Sequence, residues 1–248
     1  MQTKNIGIIA SVIVGIAITG AIVLGTNTVE DTVDKFAVNA DTVDVLLQNS
    51  ERVFVIDIRT AEQYQSGHID GASHDVLDST TLEKRVKTIQ NRLPEVASTY
   101  NFVLVDDDGT QAKQAAQAMT EMGIQTFYLD GGISLDGDLM TRSQTVIDSK
   151  ELMQKLDANE DIFLLDVREP NELLESKIDG AVNIPLAQIF QPGGMDEIPT
   201  DKPVVIICGS GNRATIATYA LAQEGVDFQV LEGGMKAWNP MIQAQSGM

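Results

Sequence analysis

The only cysteine of the chain, Cys208, lies where a reactive thiol would be expected. An apolar segment at 204–207 leads directly into Cys-Gly-Ser-Gly-Asn-Arg at 208–213, and a helix is predicted to begin near Ala214. Ligands of open α/β sheets bind outside the carboxyl ends of the strands. The two loop glycines allow several N–H groups to turn toward one point, which favours a thiolate there. Because Arg213 adds a positive charge, the pattern predicts a nucleophilic cysteine rather than an inert core residue.

The composition excludes several other kinds of site. The 248 residues include one cysteine and two histidines, so no internal disulfide can form and there are too few ligands for a structural zinc site. Lys and Arg number 17 against 36 Asp and Glu, which gives a formal net charge of −19. Such a chain lacks the clustered positive charge of a nucleic-acid-binding surface. We therefore expect no metal, no other cofactor and no nucleic-acid partner.

The elements that position this loop occur twice, because the chain contains an internal repeat. Val53-Phe-Val-Ile-Asp-Ile-Arg59 returns as Ile162-Phe-Leu-Leu-Asp-Val-Arg168, which is 109 positions later. Asp130-Gly-Gly132 returns as Glu232-Gly-Gly234, which is 102 positions later. The difference between the two shifts means that the first copy holds seven extra residues between positions 72 and 102. Self-similarity of this kind predicts two domains of the same fold.

Each copy alternates apolar strands with helices. The predicted elements are strands at Phe102–Val105 and Val204–Ile207, alanine-rich helices at Gln111–Met122 and Ala214–Glu224, and strands at Thr126–Leu129 and Phe228–Leu231. Unbroken apolar strands between helices indicate a parallel sheet that is buried on both faces. The predicted fold class is therefore α/β, with two tandem domains that each have a parallel sheet and helices on both of its faces.

Both copies have an Asp-x-Arg segment at the end of their first long strand. The pairs are Asp57 with Arg59 and Asp166 with Arg168. A buried or half-buried charge normally needs a partner, and the neighbouring aspartate is the obvious one. We therefore expect these arginines to form structural ion pairs rather than to bind substrate.

The N-terminal residues have the pattern of a membrane segment. Residues 6–24 are uncharged and apolar, and at about 1.5 Å per residue they span roughly 28 Å as a helix. A signal-peptide core, the alternative, is usually shorter, about 7–15 residues, and ends at a small-residue cleavage site, which is poor here. Lys4 precedes the run and acidic residues follow it, so the positive-inside tendency places the rest of the chain outside the cytoplasm. We expect a single-pass protein of the cell membrane with extracytoplasmic domains.

Four segments together resemble the rhodanese family of sulfurtransferases in its tandem-domain form. They are Asp166-Val-Arg-Glu-Pro170, Ile178-x-Gly-Ala-x-Asn-Ile-Pro185, the loop at 208–213 and Glu232-Gly-Gly-x-x-x-Trp238. The resemblance covers about residues 38–245. It implies that Cys208 takes a sulfane sulfur from thiosulfate or a related persulfide, holds it as a cysteine persulfide and passes it to a thiol, cyanide or another thiophilic acceptor. The substrate-binding residues that it implies are Gly209, Ser210, Gly211, Asn212 and Arg213.

The repeat then assigns different roles to the two domains. At the position that corresponds to Cys208 the first copy has Asp106, and a carboxylate cannot hold a transferable sulfur. We therefore expect an inactive first domain and a catalytic second domain. The predicted parts are a transmembrane anchor at 1–25, a tether at 26–37, the inactive domain at 38–142 and the catalytic domain at 143–248.

Loop length and one substitution narrow the chemistry further. Cysteine-dependent phosphatases that share the rhodanese fold place five residues between Cys and Arg, whereas four lie between Cys208 and Arg213. The tighter loop suits a single sulfur atom, which disfavours phosphatase or arsenate reductase activity. The tandem thiosulfate and mercaptopyruvate enzymes also tend to carry a second arginine where this chain has Glu172. We therefore expect thiosulfate or a persulfide to be a better donor than mercaptopyruvate.

Two alternatives stay open at this stage. In the first, the protein is a sulfur carrier or scaffold at the membrane, and Cys208 receives sulfur but rarely turns over. In the second, the first copy binds a cation, because Val103–Thr110 resembles the phosphate-transfer loop of the haloacid dehalogenase superfamily. In that superfamily the residues matching Asp106 and Asp108 bind Mg²⁺, but no matching downstream lysine and acidic pair is found here.

Overall fold

The computed structural model describes residues 34–48, 52–133 and 145–246, which belong to one compact unit that begins at Asp34. The predicted anchor at 6–24 lies outside the described residues, as do most of the tether and the segment that joins the two copies. Among the described residues, no helix is both long and apolar enough to cross a membrane. The anchor, and with it the location at the membrane, stays a prediction.

The first copy contains ten described elements. They are β1 (Ala37–Val38), α1 (Ala40–Gln48), β2 (Val53–Asp57), α2 (Ala61–Ser66), β3 (Ser73–His74), α3 (Ser79–Arg92), α4 (Pro94–Thr99), β4 (Asn101–Val105), α5 (Thr110–Glu121) and β5 (Thr126–Leu129). The seven extra residues of this copy fall in the segment that forms α3 and α4.

The second copy has the same order of strands. Its described elements are β6 (Val146–Ile147), α6 (Ser149–Asp157), β7 (Phe163–Asp166), a 3-10 turn (Pro170–Leu174), β8 (Val182–Asn183), α7 (Leu186–Ile189), β9 (Val204–Ile207), α8 (Asn212–Gln223), β10 (Phe228–Leu231) and α9 (Met235–Ser246). The predicted strands β5, β9 and β10 are confirmed to the residue. The alanine-rich helices α5 and α8 begin one or two residues earlier than predicted, and each ends one residue earlier.

Each copy forms one five-stranded sheet in which all neighbouring strands are parallel. The strand orders are β1-β5-β4-β2-β3 and β6-β10-β9-β7-β8, so the two sheets have the same topology. The central strands are β4 and β9, and nearly all of their residues are buried. A continuous apolar run is what a parallel strand covered on both faces requires. The predicted α/β class is thereby confirmed.

Three apolar clusters hold the sheets and helices together. One face of the first sheet packs under α1, and one face of the second sheet packs under α6 and α9. The opposite faces of both sheets lie in a single larger cluster, together with α3, α5, α7 and α8. Within it, Phe54 and Phe102 of the first copy lie against Tyr219 of the second, at ring-centroid distances of 6.1 and 6.4 Å. The two copies therefore share one hydrophobic core.

The Asp-x-Arg segments form buried ion pairs, as predicted. In the second copy, Arg168 Nη2 donates to Asp166 Oδ2 at 2.6 Å and to the carbonyl oxygen of Ser176 at 2.9 Å. The first copy repeats the pair with Arg59 and Asp57, also at 2.6 Å. All four side chains are at most 4% exposed. The arginines thus tie the end of β2 or β7 to the turn that follows the strand.

Replacing Arg168 with methionine is expected to lower the free energy of unfolding by about 3–5 kcal/mol, because the substitution leaves Asp166 as an unpaired buried carboxylate. Urea denaturation followed by circular dichroism measures this loss. The double variant Asp166→Asn/Arg168→Met also removes the negative charge and should recover much of the stability. A loss below about 1 kcal/mol in the single variant would contradict a structural role of the pair.

Candidate active site

Cys208 follows the central strand β9 and lies at the bottom of its loop. The residue is 1% exposed, whereas Gly209 and Gly211 are half-buried and Ser210 is exposed. The amide N–H of Gly211 donates to Cys208 Sγ at 3.0 Å. An N–H group that points at a sulfur atom stabilises negative charge there. The thiol is therefore buried, but its surroundings differ from those of a cysteine that only packs in an apolar core.

The backbone that follows β10 fixes the orientation of this loop. The amides of Met235 and Lys236 donate to the carbonyl oxygens of Cys208 and Gly209 at 2.8 and 3.1 Å. These contacts hold the loop carbonyls against the start of α9. Gly234 permits them, since it has a φ of +56° and a Cβ at this position would lie 2.3 Å from the carbonyl oxygen of Cys208. The Gly-Gly pair of the repeat is thus needed for a close approach of two backbones.

The first copy shows how the same loop surrounds a carboxyl side chain in place of the thiol. Asp106, at the position of the cysteine, is buried, and its carboxylate accepts three backbone hydrogen bonds. Gly109 N donates to Oδ1 at 2.5 Å, and the amides of Gln111 and Ala112 donate to Oδ2 at 2.8 and 3.1 Å. The backbone of this loop therefore directs three N–H groups at one carboxylate. In this copy a side chain of the loop itself supplies that carboxylate.

The neighbouring carboxylates of the first-copy loop point in other directions. Asp107 lies 3.6 Å from Arg59 and accepts a hydrogen bond from Gln63 at 2.7 Å. Asp108 accepts the amide N–H of Thr110 at 2.8 Å. Over the ranges 34–48, 52–133 and 145–246, no group of three or more His, Cys, Asp or Glu side chains is placed to hold a metal ion. The geometry of this loop therefore gives no support to the Mg²⁺-binding alternative.

Arg213 is paired rather than free. Its guanidinium donates to Glu172 Oε2 at 2.5 Å and to Glu172 Oε1 at 2.7 Å, and its side chain is 12% exposed. Hydrogen bonds from Arg213 lower the pKa of Glu172 to about 2, and the hydrogen bond to Glu172 raises the pKa of Arg213. The same guanidinium lies beside Gly209 and within electrostatic range of Cys208. The expected rim cation is thus present, but a carboxylate already balances its charge.

This pairing was missed in the sequence because Glu172 was considered only as a replacement for an arginine. Glu172 lies in the 3-10 turn after β7, and Arg213 lies in the first turn of α8. The two residues are 41 positions apart in the sequence. The available signal was the convergence of strand ends, since β7 and β9 are neighbours in the sheet and their following segments must meet.

Asn212 has a different environment from the one expected of a substrate-binding residue. Its side-chain Nδ2 donates to Thr88 Oγ1 at 2.7 Å, and its Oδ1 accepts from Arg85 Nη1. Both partners belong to α3 of the first copy, and Asn212 is 9% exposed. The side chain therefore contacts the other copy, and only the backbone of Asn212 is left to take part in the loop.

Both copies match a known protein family. The model of the family described as "Rhodanese-like domain" matches residues 39–135 and 148–240. A "Sulfurtransferase" from Allochromatium vinosum is 42% identical over 93 residues, which are 37% of this chain and 85% of that protein. The "Putative sulfur carrier protein YrkF" of Bacillus subtilis is 33% identical over 86 residues, or 34% of this chain and 45% of that protein.

A solved structure has the same local resemblance. The crystal structure of a rhodanese-related protein from Thermoplasma volcanium is 31% identical in sequence. The match covers 39% of this chain and 92% of that chain, with a TM-score of 0.36. The matched length corresponds to about one copy of the repeat.

The Glu172–Arg213 pair predicts a specific dependence of stability on pH. The pKa of Glu172 is lowered from its usual 4.5 to about 2 in the folded protein, so the pair adds stability above pH 4.5 that is lost as the pH falls toward 2. Glu172→Gln should therefore cost on the order of 1 kcal/mol at pH 7, because the pair is partly exposed, and almost nothing near pH 2. Urea denaturation across this range measures the difference.

The matched control for this measurement is the same substitution in an Arg213→Met background. There Glu172 has lost its ion-pair partner, so most of the pH-dependent cost of Glu172→Gln should disappear. An equal cost in both backgrounds would show that the ion pair is not its source.

Proposed function

Because the chain belongs to the rhodanese-like domain family, we propose that it is a sulfurtransferase whose second domain carries a sulfane sulfur on Cys208. The donor is thiosulfate or a related persulfide, and the acceptor is a thiol, cyanide or another thiophile. The observation that carries the proposal is the hydrogen bond of 3.0 Å from the Gly211 amide to Cys208 Sγ. That contact stabilises negative charge on the sulfur of Cys208, which attacks the donor in the proposed reaction.

The reaction divides into two displacements. The thiolate of Cys208 attacks the outer sulfur of thiosulfate, and the bond between the two thiosulfate sulfurs breaks, so that sulfite leaves with the electron pair. The product on the protein is a persulfide anion. An acceptor such as cyanide then attacks the terminal sulfur, the S–S bond breaks, and thiocyanate leaves while the thiolate of Cys208 is regenerated.

The first copy supports a proposal for the position of the terminal sulfur of the persulfide. Asp106 places a carboxylate oxygen two bonds beyond Cβ, and a cysteine persulfide places its terminal sulfur at the same number of bonds. Oδ2 of Asp106 accepts from two amides at the start of α5. Shifted by 102, these are the amides of Arg213 and Ala214 at the start of α8. We assign the terminal sulfur to those two amides.

The paired state of Arg213 bears on the choice of donor. A dianionic donor such as thiosulfate gains less from an arginine that Glu172 already neutralises than from a free one. The family arginine that Glu172 replaces is also missing. Both features count against mercaptopyruvate, which has a carboxylate to bind, and they favour a persulfide donor of low charge among the proposed donors.

A sulfur carrier without turnover is the second candidate. It is favoured by the likeness to a relative whose name describes a sulfur carrier, and it requires the same loop around Cys208. The two functions differ in kinetics. A carrier takes up one sulfur per chain and stops, whereas a sulfurtransferase produces thiocyanate continuously from thiosulfate and cyanide.

Mass spectrometry of the intact protein tests the proposed intermediate. After incubation with thiosulfate the protein should gain about 32 Da, the mass of one sulfur atom held as a persulfide. Cyanide should remove the added mass, and steady production of thiocyanate should accompany the cycle. Cys208→Ser should show neither effect. A sulfur adduct that survives this substitution would contradict the role of Cys208.

The role of Glu172 in donor selection has its own test. Glu172→Gln releases Arg213 to bind an anionic donor, so the KM for thiosulfate should fall roughly fivefold, the effect of about 1 kcal/mol. The matched control is Glu169→Gln, which removes the same charge from the same turn but breaks a pair with Arg92 instead. Equal changes in both variants would show a general effect of charge rather than the release of Arg213.

A further inference from the structure

The long helix of the first copy contacts the candidate active site of the second. Helix α3 spans 14 residues, whereas α7 at the corresponding place in the second copy spans four. Three residues on one face of α3, spaced three and four apart, bond to the second copy. They are Arg85, Thr88 and Arg92. Arg92 pairs with Glu169 at 3.0 Å, one turn from the Glu172–Arg213 pair.

Asn212 receives two of these contacts. Arg85 Nη1 donates to Oδ1 of Asn212 and lies 3.4 Å from its main-chain carbonyl oxygen. Thr88 Oγ1 accepts from Nδ2 of Asn212 at 2.7 Å. Both polar ends of the asparagine amide are therefore held by side chains from the first copy.

Arg85 is itself fixed in place by a buried network. Its Nε and Nη2 donate to the two carboxylate oxygens of Asp75 at 2.5 and 2.9 Å. Tyr219, from α8 of the second copy, donates its hydroxyl to the same carboxylate at 2.5 Å. Asp75, Arg85 and Tyr219 are all at most 8% exposed. A buried and fully bonded charge pair of this kind has little freedom to move.

The position of Asn212 in the loop gives this network a consequence for catalysis. It lies between Gly211, whose amide points at the sulfur, and Arg213, which is paired with Glu172. We infer that Arg85 is a positioning residue, through which the catalytically inactive copy holds Asn212 and so keeps the Gly211 amide directed at Cys208. The inference rests on the proposed role of Cys208 as the nucleophile.

The alternative is that Arg85 merely helps the two copies to dock. Helix α8 provides an internal control, because the first copy also contacts its far end, where Gln223 Nε2 donates to the carbonyl oxygen of Val53. That contact joins the same two copies through the same helix but does not touch the loop. If Arg85 only helps the copies to dock, substitutions at the two ends of α8 should change the reactivity of Cys208 equally. If Arg85 positions the loop, only substitutions at the loop end of α8 should change it.

The main test is a mutant cycle read out by alkylation of Cys208 with iodoacetamide at pH 7, which needs no sulfur donor. Arg85→Lys keeps a charge opposite Asp75, but one ammonium cannot replace the fork that reaches both Asp75 and Asn212. We expect it to slow alkylation and to lower kcat/KM for thiosulfate at least fivefold. Asn212→Ala should have a similar effect, and the double variant should be no slower than the slower single variant.

Gln223→Met is the matched control and should leave both rates within twofold of those of the unchanged protein. Thr88→Val, which removes only the acceptor for Asn212 Nδ2 at a half-buried site, is the second test if Arg85→Lys does not fold, and it should slow alkylation at least twofold. The inference would be overturned if the Arg85 and Asn212 substitutions slowed alkylation independently, so that their effects multiplied in the double variant. It would also be overturned if Gln223→Met slowed alkylation as much as Arg85→Lys. If the unchanged protein forms no persulfide, the proposed function fails, but the alkylation cycle still decides the inference.

Discussion

The hydrogen bond from the amide of Gly211 to the sulfur of Cys208 is the contact on which the proposed chemistry depends. A loop of six residues does not hold one N–H group in a fixed direction by itself. The amides at the start of α9 hold the loop carbonyls from one side, and the missing side chain of Gly234 lets the two backbones approach. From the other side, α3 of the first copy holds Asn212. The loop is thus fixed by elements on both sides of it.

The two copies use one backbone arrangement for two kinds of side chain. In the first copy the loop surrounds the carboxyl group of Asp106, which accepts three backbone hydrogen bonds. In the second copy the loop surrounds the thiol of Cys208, the group that we propose to carry the sulfur. In both copies the amide at the corresponding loop position, Gly109 or Gly211, donates to the side chain that follows the central strand. Whether the loop can do chemistry is decided by the side chain at the end of the central strand.

Much of the fold could be predicted from the sequence because the central strands are long apolar runs between clear turn residues. Strands β5, β9 and β10 were located to the residue on that basis. The edge strands β1, β3, β6 and β8 have two residues each, which is too short for any pattern, and they exist only because a longer neighbour offers free hydrogen-bonding groups. The loop around Cys208 was predictable for the same reason as β9, since strand and loop are adjacent in the sequence.

The partners of the loop could not be predicted in this way. Arg213 was expected to contribute a free positive charge, but it is neutralised by Glu172, which lies 41 positions away. Arg85 lies 127 positions from Asn212, on a helix whose sequence shows only the amphipathic pattern of a surface element. The first contact joins two segments of the second copy that follow neighbouring strands. The second depends on how the two copies pack against each other, and the pattern within either copy carries no information about that packing.

The hydrophobic core that the two copies share makes the stability of each copy depend on the other. One large apolar cluster includes residues from both sheets and from helices of both copies. Cutting the chain between the copies would expose apolar side chains of each half that the other half covers in the whole chain. A substitution that opens a cavity at an apolar residue of either copy within this cluster is therefore expected to destabilise both copies together.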